Sequence, residues 1–477
     1  MGHVIGESRG QGALFPVVLD DLVPEDHAVR VIDAYVAGLD LAGLGFAKAE
    51  PAATGRPPYD PADLLKLYVY GYLNQVRSSR RLERECARNV EVMWLLNALA
   101  PDHKTIAQFR RLNSEPFKAV CRCFVRFCAE AKLIGGQWVA IDGSKFQAVA
   151  SKRAVVTPAQ LEKQLKSIDR QVQTYLESLD SADQAEGEGA GSEKHAVREA
   201  LAKLKERRAD VASTQAILGE LKPRQHVVGE SDARLMKTGE GAARVAYNLQ
   251  TAVDEKNKLV VHHELTNECN DERSLLPTAL GAKQALGAET LNVAADAGYS
   301  NGEQAKACED AGITPYVPVQ RAVNNQGEGT YFDRSAFTYD ERADTYRCPA
   351  GHTLMRQGTS GWLILYTTKA CGACALKTQC TGAKQRWVSR HAEEAALERM
   401  RERLEANPRA MALRRESAEH PFANLKYRIL GNGRLLMRGL RGASGEMALA
   451  VLAYNFRRAL NLLGAGAMRR RLLTQPG

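Results

Sequence analysis

Two short segments far apart in the chain share one design. Gln137-Trp138-Val139-Ala140-Ile141-Asp142-Gly143-Ser144 and Leu291-Asn292-Val293-Ala294-Ala295-Asp296-Ala297-Gly298-Tyr299 each place an acid, then a glycine, after an apolar run rich in β-forming residues. Each run reads as a buried strand, and the glycine that follows lets the backbone turn sharply. Two such strands point to an α/β core in which Asp142 and Asp296 are each expected at a strand end, at the edge of a sheet.

A third acid lies near the C-terminus, in Arg415-Glu416-Ser417-Ala418-Glu419-His420-Pro421-Phe422-Ala423-Asn424-Leu425-Lys426. Arg415, Glu419 and Lys426 stand at i, i+4 and i+11, which on an α-helix places all three on one face. A carboxylate between two cations keeps its charge at neutral pH and holds a divalent metal while the cations face phosphate. Glu416 is the rival acid, and the spacings of Arg415 and Lys426 select Glu419. Pro421 removes a backbone donor, so the helix is expected to kink or restart there. Two strand-end aspartates and a helix glutamate form a cluster that is costly without cations. Mg²⁺ suits it, because that ion takes oxygen ligands and keeps positions open for water and phosphate. Taken singly, the Asp-Gly pair reads as a turn and the Arg-Glu pair as a solvated surface contact. Their joint occurrence, in order and in a basic chain, points to phosphodiester chemistry.

Asp142, Asp296 and Glu419, with Arg415 and Lys426 bracketing the glutamate, resemble the catalytic set of the DDE transposases of bacterial insertion sequences. One branch carries Y-x2-R-x3-E-x6-K; Arg415, Glu419 and Lys426 match it, and Ala412 stands at the tyrosine position. The resemblance runs from about Leu14 to about Leu463 and includes the stretch from Gly55 to Arg111. It implies an RNase H-like catalytic core, a mixed sheet flanked by helices. The implied activity is a DNA transposase that binds the ends of its insertion sequence, cleaves the phosphodiester with metal-activated water and transfers the 3′-hydroxyl to target DNA. Two Mg²⁺ ions, with Mn²⁺ as a substitute, would be held by Asp142, Asp296 and Glu419, one at the attacking oxygen and one at the leaving oxygen. Arg415 and Lys426 would position phosphates. A non-catalytic DNA-binding protein on the same fold and a stand-alone DNA nuclease are the rival readings. The intact acid set argues against the first, and strand transfer separates the second.

The 477 residues allow two or three domains, and a formal charge of +9 favours a polyanionic partner. Arg77, Arg80, Arg81, Arg84 and Arg88 recur at helical spacing and would line one helix face. Before them, Asp60-Pro61 is an N-cap followed by proline at the first helical position. After them, Asp102 to Arg111 reads as a short helix with Ile106, Phe109 and Leu112 packed inward and Lys104, Gln108 and Arg111 pointing away. This arrangement resembles a helix-turn-helix type of DNA reader. A solvated arginine face on an ordinary bundle is the plainer reading, and the family resemblance favours DNA.

Thr157-Pro158-Ala159-Gln160 is a capping box, and Leu161, Leu165, Ile168, Val172, Tyr175 and Leu179 then alternate by four and three. An acidic, glycine-rich stretch, 181–192, precedes a second helix carrying Val197, Leu201, Leu204 and Val211. An antiparallel hairpin is expected, its seam serving self-packing, dimerisation or DNA-end contact. Segments 246–252 and 258–265 read as strands that follow the first one. Cys348, Cys371, Cys374 and Cys380, with His352 as a substitute, suit a tetrahedral structural Zn²⁺, and buried or free thiols are the alternative. The sequence shows no signal peptide or transmembrane run, which implies a reducing cytoplasm and no membrane partner, and the family resemblance implies nucleoid association. A homodimer or higher oligomer on DNA is expected. The expected division is 1–130 N-terminal helical DNA-binding region, 131–156 first part of the core, 157–222 helical hairpin insertion, 223–318 core continued, 319–400 Cys-rich β insertion, and 401–477 C-terminal helical part with Glu419.

Overall fold

The computed structural model describes residues 18–50, 57–184, 190–220, 225–237, 241–319, 325–326, 329–360 and 363–474. Leu14, Gly55, residues 185–189 of the acidic stretch and the Leu179 side chain lie outside the described residues. The N-terminal region is helical: α1 (Ala28–Ala37), α2 (Pro61–Leu73), α3 (Ser79–Arg88), α4 (Val90–Leu95), α5 (His103–Leu112) and α6 (Ser114–Glu130). Asp60 opens α2 by accepting from the Ala62 amide at 2.8 Å, and Asp102 opens α5 by accepting from the Lys104 and Thr105 amides. Tyr68 of α2 stacks on Phe109 of α5, and Phe117 of α6 closes the cluster. Ile106 and Phe109 pack inward as expected, but Leu112 is 39% exposed. Arg110 is buried in its stead, with its guanidinium 5.5 Å from the Tyr68 ring centroid.

The core is a mixed α/β assembly around β1 (Trp138–Gln147), whose residues Val139, Ala140 and Ile141 are fully buried. Next, β2 (Val155–Val156) and β3 (His226–Val227) pair antiparallel and clasp the base of a hairpin formed by α7 (Pro158–Gln184) and α8 (Ala190–Glu220). Gln160 accepts from the Thr157 amide at 3.0 Å, the contact that the capping box predicts. Leu161, Ile168, Leu201 and Leu218 are buried, whereas Tyr175 is 37% exposed. The apolar stripe therefore serves packing of the hairpin on itself.

The chain then adds β4 (Arg234–Lys237), β5 (Ala243–Asp254), β6 (Val260–Thr266), α9 (Leu275–Leu286), β7 (Leu291–Ala294), α10 (Gly302–Asp310) and β8 (Ile313–Tyr316). The sheet order is β4-β5-β1-β7-β8, with β6 also on β5. β5 runs antiparallel to β1 and to β6, while β1, β7 and β8 run parallel. Asp142 is not at the end of its strand: β1 continues to Gln147, because β5 is long enough to pair with it from Thr251 opposite Asp142 to Ala246 opposite Gln147. The edge forms on the other side, where β7 stops at Ala294. Gly143 makes no turn and pairs with Gln250. It is glycine for another reason, since a Cβ there would lie 2.6 Å from Gln250 Nε2 and 2.7 Å from Asp271 Oδ1.

After the short pair β9 (Asn325–Gln326) and β10 (Gly329–Thr330) comes an antiparallel sheet of β11 (Thr338–Asp340), β12 (Thr345–Arg347), β13 (Thr353–Ser360), β14 (Leu363–Thr367) and β15 (Trp387–His391). The one-turn helix α11 (Lys377–Cys380) sits between β14 and β15. This sheet has its own small core of Phe337, Tyr346, Leu354, Tyr366 and Val388. The chain returns through α12 (Glu394–Ala406), α13 (Arg409–Ala423), α14 (Gly439–Leu463) and α15 (Ala465–Thr474). α14 is buried along most of its length and packs on α2, α6 and β6, so the N-terminal helices and the main sheet share one continuous core. It approaches α6 closely at Gly445, where a Cβ would lie 2.7 Å from Ser114 Cα. No described helix is long and apolar enough to cross a membrane.

Candidate active site

β1 and β7 align Ala140 with Ala294, and Asp142 and Asp296 each lie two residues further on. Side chains two apart along extended backbone share a face, so the two acids emerge side by side. Each is fixed the same way. Asp142 Oδ1 accepts from the Gly143 amide at 2.8 Å, and Asp296 Oδ1 accepts from the Gly298 amide at 2.8 Å. Both Oδ2 atoms are thereby turned toward α13, which packs over β1, β5 and β7.

What meets them is Arg414, a residue that the spacing argument passed over in favour of its neighbour. Its Nη2 lies 3.0 Å from Asp142 Oδ2 and 3.2 Å from Asp296 Oδ2, and its Nη1 lies 3.9 Å from Glu419 Oε1. Three carboxylates from β1, the end of β7 and α13 thus surround one guanidinium. Exposure rises across the set, from 14% for the Asp142 side chain to 44% for Asp296 and 71% for Glu419. Burial pushes the Asp142 carboxyl up to about 6; Asp296 and Asp271 add to the rise, while Arg414 and the Gly143 amide oppose it. The Arg414 cation thus favours the charged form that burial opposes.

Asp271 is a second residue that the sequence reading missed. Its Oδ1 accepts from Asn248 Nδ2 and Gln250 Nε2, both at 2.6 Å, and lies 3.4 Å from Lys145 Nζ. Tyr299, three residues after Asp296, donates to Gln250 Oε1. A polar network beneath the acids therefore links β1, β5 and the segment after β7.

The rest of the C-terminal motif is placed less simply than a straight helix predicts. Arg415 and Glu416 are exposed. The helix neither breaks nor restarts at Pro421: α13 runs through it to Ala423 and widens into a π-helical turn, Asn424–Ile429. Pro421 has no amide proton for the carbonyl four residues back, and the wide turn begins three residues beyond it. Lys426 lies in this turn, its Nζ 5.5 Å from the centroid of Phe146 on β1.

Of the expected nucleic-acid contacts, Arg80, Arg81, Arg84 and Arg88 are exposed on α3, and Lys104, Gln108 and Arg111 are exposed on α5, which packs against α3. Arg77 does not join them. It precedes α3, its side chain is 13% exposed, and it donates to Glu446 Oε1 at 3.0 Å and to the Leu430 and Arg434 carbonyls. Neutralising Arg80 and Arg84 together is expected to shallow the log-log salt dependence of DNA binding by about 2, because each phosphate contact contributes about 0.9. Salt titrations of end binding check this, and an unchanged slope would make α3 a solvated face.

Cys348, Cys371, Cys374 and Cys380 line one small cavity with His352. Two tight turns shape it: the Gly351 amide donates to the Cys348 carbonyl, and the Cys374 amide to the Cys371 carbonyl. Among the described residues no set of three or more His, Cys, Asp or Glu side chains stands in metal-binding geometry. Between the acids stands the Arg414 guanidinium.

Residues 17–112 match the family described as Transposase domain (DUF772), and residues 347–460 match the family described as Transposase DDE domain. The first match spans α1 to α5, and the second runs from β12 into α14 and includes Glu419 and Lys426. The two matches support an insertion-sequence transposase of the DDE type. Asp142 and Asp296 fall outside both matched stretches, so their place beside Glu419 rests on the geometry above. No curated protein matches the chain.

Proposed function

We propose that this transposase cuts DNA at the ends of its own insertion sequence and joins the freed 3′-hydroxyl to target DNA, using a divalent-metal site made of Asp142, Asp296 and Glu419. The observation that carries the reading is the convergence of these carboxylates on the Arg414 guanidinium. The order and directions of the sheet support an RNase H-like core, with the antiparallel pair β5 and β6 on one side of β1 and the parallel pair β7 and β8 on the other.

The donor set is all oxygen, the class that Mg²⁺ and Mn²⁺ prefer, and the point between the acids already accommodates positive charge. When bound there, the metal supplies Lewis acidity at the scissile phosphate and lowers the pKa of an attacking water. The chain's own part is preorganisation. Backbone amides hold one oxygen of each aspartate and leave the other turned inward. Glu419, the most exposed of the three, stands where DNA arrives, with Arg415 and Lys426 flanking it to position phosphates. The exposed side chains of α3 and α5 supply end binding, and a homodimer or higher oligomer brings two ends together.

The reading is tested by incubating purified protein with end DNA and Mg²⁺ and mapping nicks. Nicks at the element boundary, joined to target in the full reaction, support it. They should vanish in Glu419→Gln and persist in Glu416→Gln. The reverse pattern would mean that the wrong acid carries the site.

The cysteine cavity is proposed to close on one structural Zn²⁺, since thiolates are soft donors and a four-ligand shell leaves no open position. Protein purified without added metal is expected to contain about one zinc per chain. Elemental analysis checks this; the zinc should be lost when Cys371 and Cys374 are both changed to serine.

A further inference from the structure

The position of Arg414 has a consequence for metal loading. Its Nη2 lies between Asp142 Oδ2 and Asp296 Oδ2, at 3.0 and 3.2 Å. An ion bridging the same two oxygens at the roughly 2.0–2.1 Å of a Mg²⁺–oxygen bond would fall on nearly the same point. The two cannot coexist there, for steric reasons and because both are positive. The side chain must therefore move.

Two features make that movement feasible. The Arg414 Nε is buried without a hydrogen-bond partner. The guanidinium is thus held by the acids themselves, with no separate cage fixing its inner edge. Its outer nitrogen faces Glu419, the most exposed acid of the set, at 3.9 Å, which gives it a direction of exit toward solvent. The surrounding charges also matter. Asp142, Asp296 and Glu419 attract it, and Asp271 behind β1 adds negative charge but is already engaged by Asn248, Gln250 and Lys145.

We infer that Arg414 is a built-in counter-cation of the acid site, which holds the three carboxylates together before loading and competes with the divalent ion for them. The inference rests on the metal-site reading above and goes beyond it. In the loaded site the side chain points outward beside Glu419, so metal entry also adds a cation to the DNA-facing side.

The test is direct binding of Mn²⁺ to the full chain without DNA, followed by the electron paramagnetic resonance signal of free Mn²⁺. Wild type is compared with Arg414→Gln and Arg414→Met, and with Arg409→Gln as a control that removes an exposed charge from the start of the same helix. Removing the competitor should tighten Mn²⁺ binding tenfold or more in both Arg414 variants and leave the Arg409 variant at the wild-type affinity. Thermal denaturation gives a second readout: the Arg414 variants should melt lower than wild type without metal and gain more from added Mn²⁺. Affinities equal to wild type, or weaker, would overturn the inference and leave the metal site standing. Failure of every variant and of wild type to bind Mn²⁺ would overturn both, and loss of binding in Asp142→Asn would tie the measured ion to this site.

Discussion

Asp142→Asn is expected to stop DNA cleavage while leaving end binding close to wild type. The substitution preserves shape, because the amide oxygen can still accept from the Gly143 N–H. It removes the charge on the atom that faces the cation position and presents either a neutral oxygen or an N–H there. Metal assistance is worth several kcal/mol of transition-state stabilisation, and each 1.36 kcal/mol is tenfold in rate, so a loss of about a thousandfold is expected. On the proposed reading, end binding draws on the exposed side chains of α3 and α5 rather than on this carboxylate. Single-turnover cleavage and gel-shift titration on one preparation separate the two effects. A variant that still cuts at more than a tenth of the wild-type rate would remove Asp142 from the site.

Arg77→Ala is expected to destabilise the fold rather than weaken DNA binding. Glu446 is fully buried, and besides Arg77 it has the Leu436 and Met437 amides as donors at 2.7 and 2.9 Å. Truncating Arg77 leaves that carboxylate without its counter-charge, and also frees the Leu430 and Arg434 carbonyls. Removing one partner of a buried ion pair costs about 3–5 kcal/mol, a large share of a typical folding free energy. The urea midpoint should fall accordingly. Adding Glu446→Leu should recover part of the loss, because the second change removes the unpaired charge. The salt slope of end binding, measured where the variant remains folded, should match wild type. A shallower slope with an unchanged midpoint would return Arg77 to the DNA-facing set.

These two residues also mark how far the sequence could be read. The strands at 138–141 and 291–294 were legible because apolar β-forming runs bounded by an acid and a glycine have few other uses. The hairpin was legible from its capping box and its alternation by four and three. The length of β1 was not, because it is fixed by β5, its partner in space, and no local signal carries that information. Arg77 looked like a member of the α3 arginine set since its spacing is helical, yet its fate is decided by Glu446, 369 positions away. Arg414 and Arg415 are adjacent, and which of them reaches the acids depends on how α13 docks on the sheet. A helical projection tests only the spacing within the motif. Asp271 lies in the polar stretch Asn267 to Arg273, where nothing local distinguishes it from its neighbours.

The central claim is that Asp142, Asp296 and Glu419 together hold the catalytic metal. Its most direct test is anomalous diffraction at the manganese edge from crystals of the full chain grown with end DNA and Mn²⁺. Peaks are expected between the three carboxylates, with Asp142 Oδ2 and Asp296 Oδ2 at ligand distance and the Arg414 side chain displaced from its place between them. Manganese bound elsewhere, with Arg414 still bridging the two aspartates in the presence of DNA, would contradict the account.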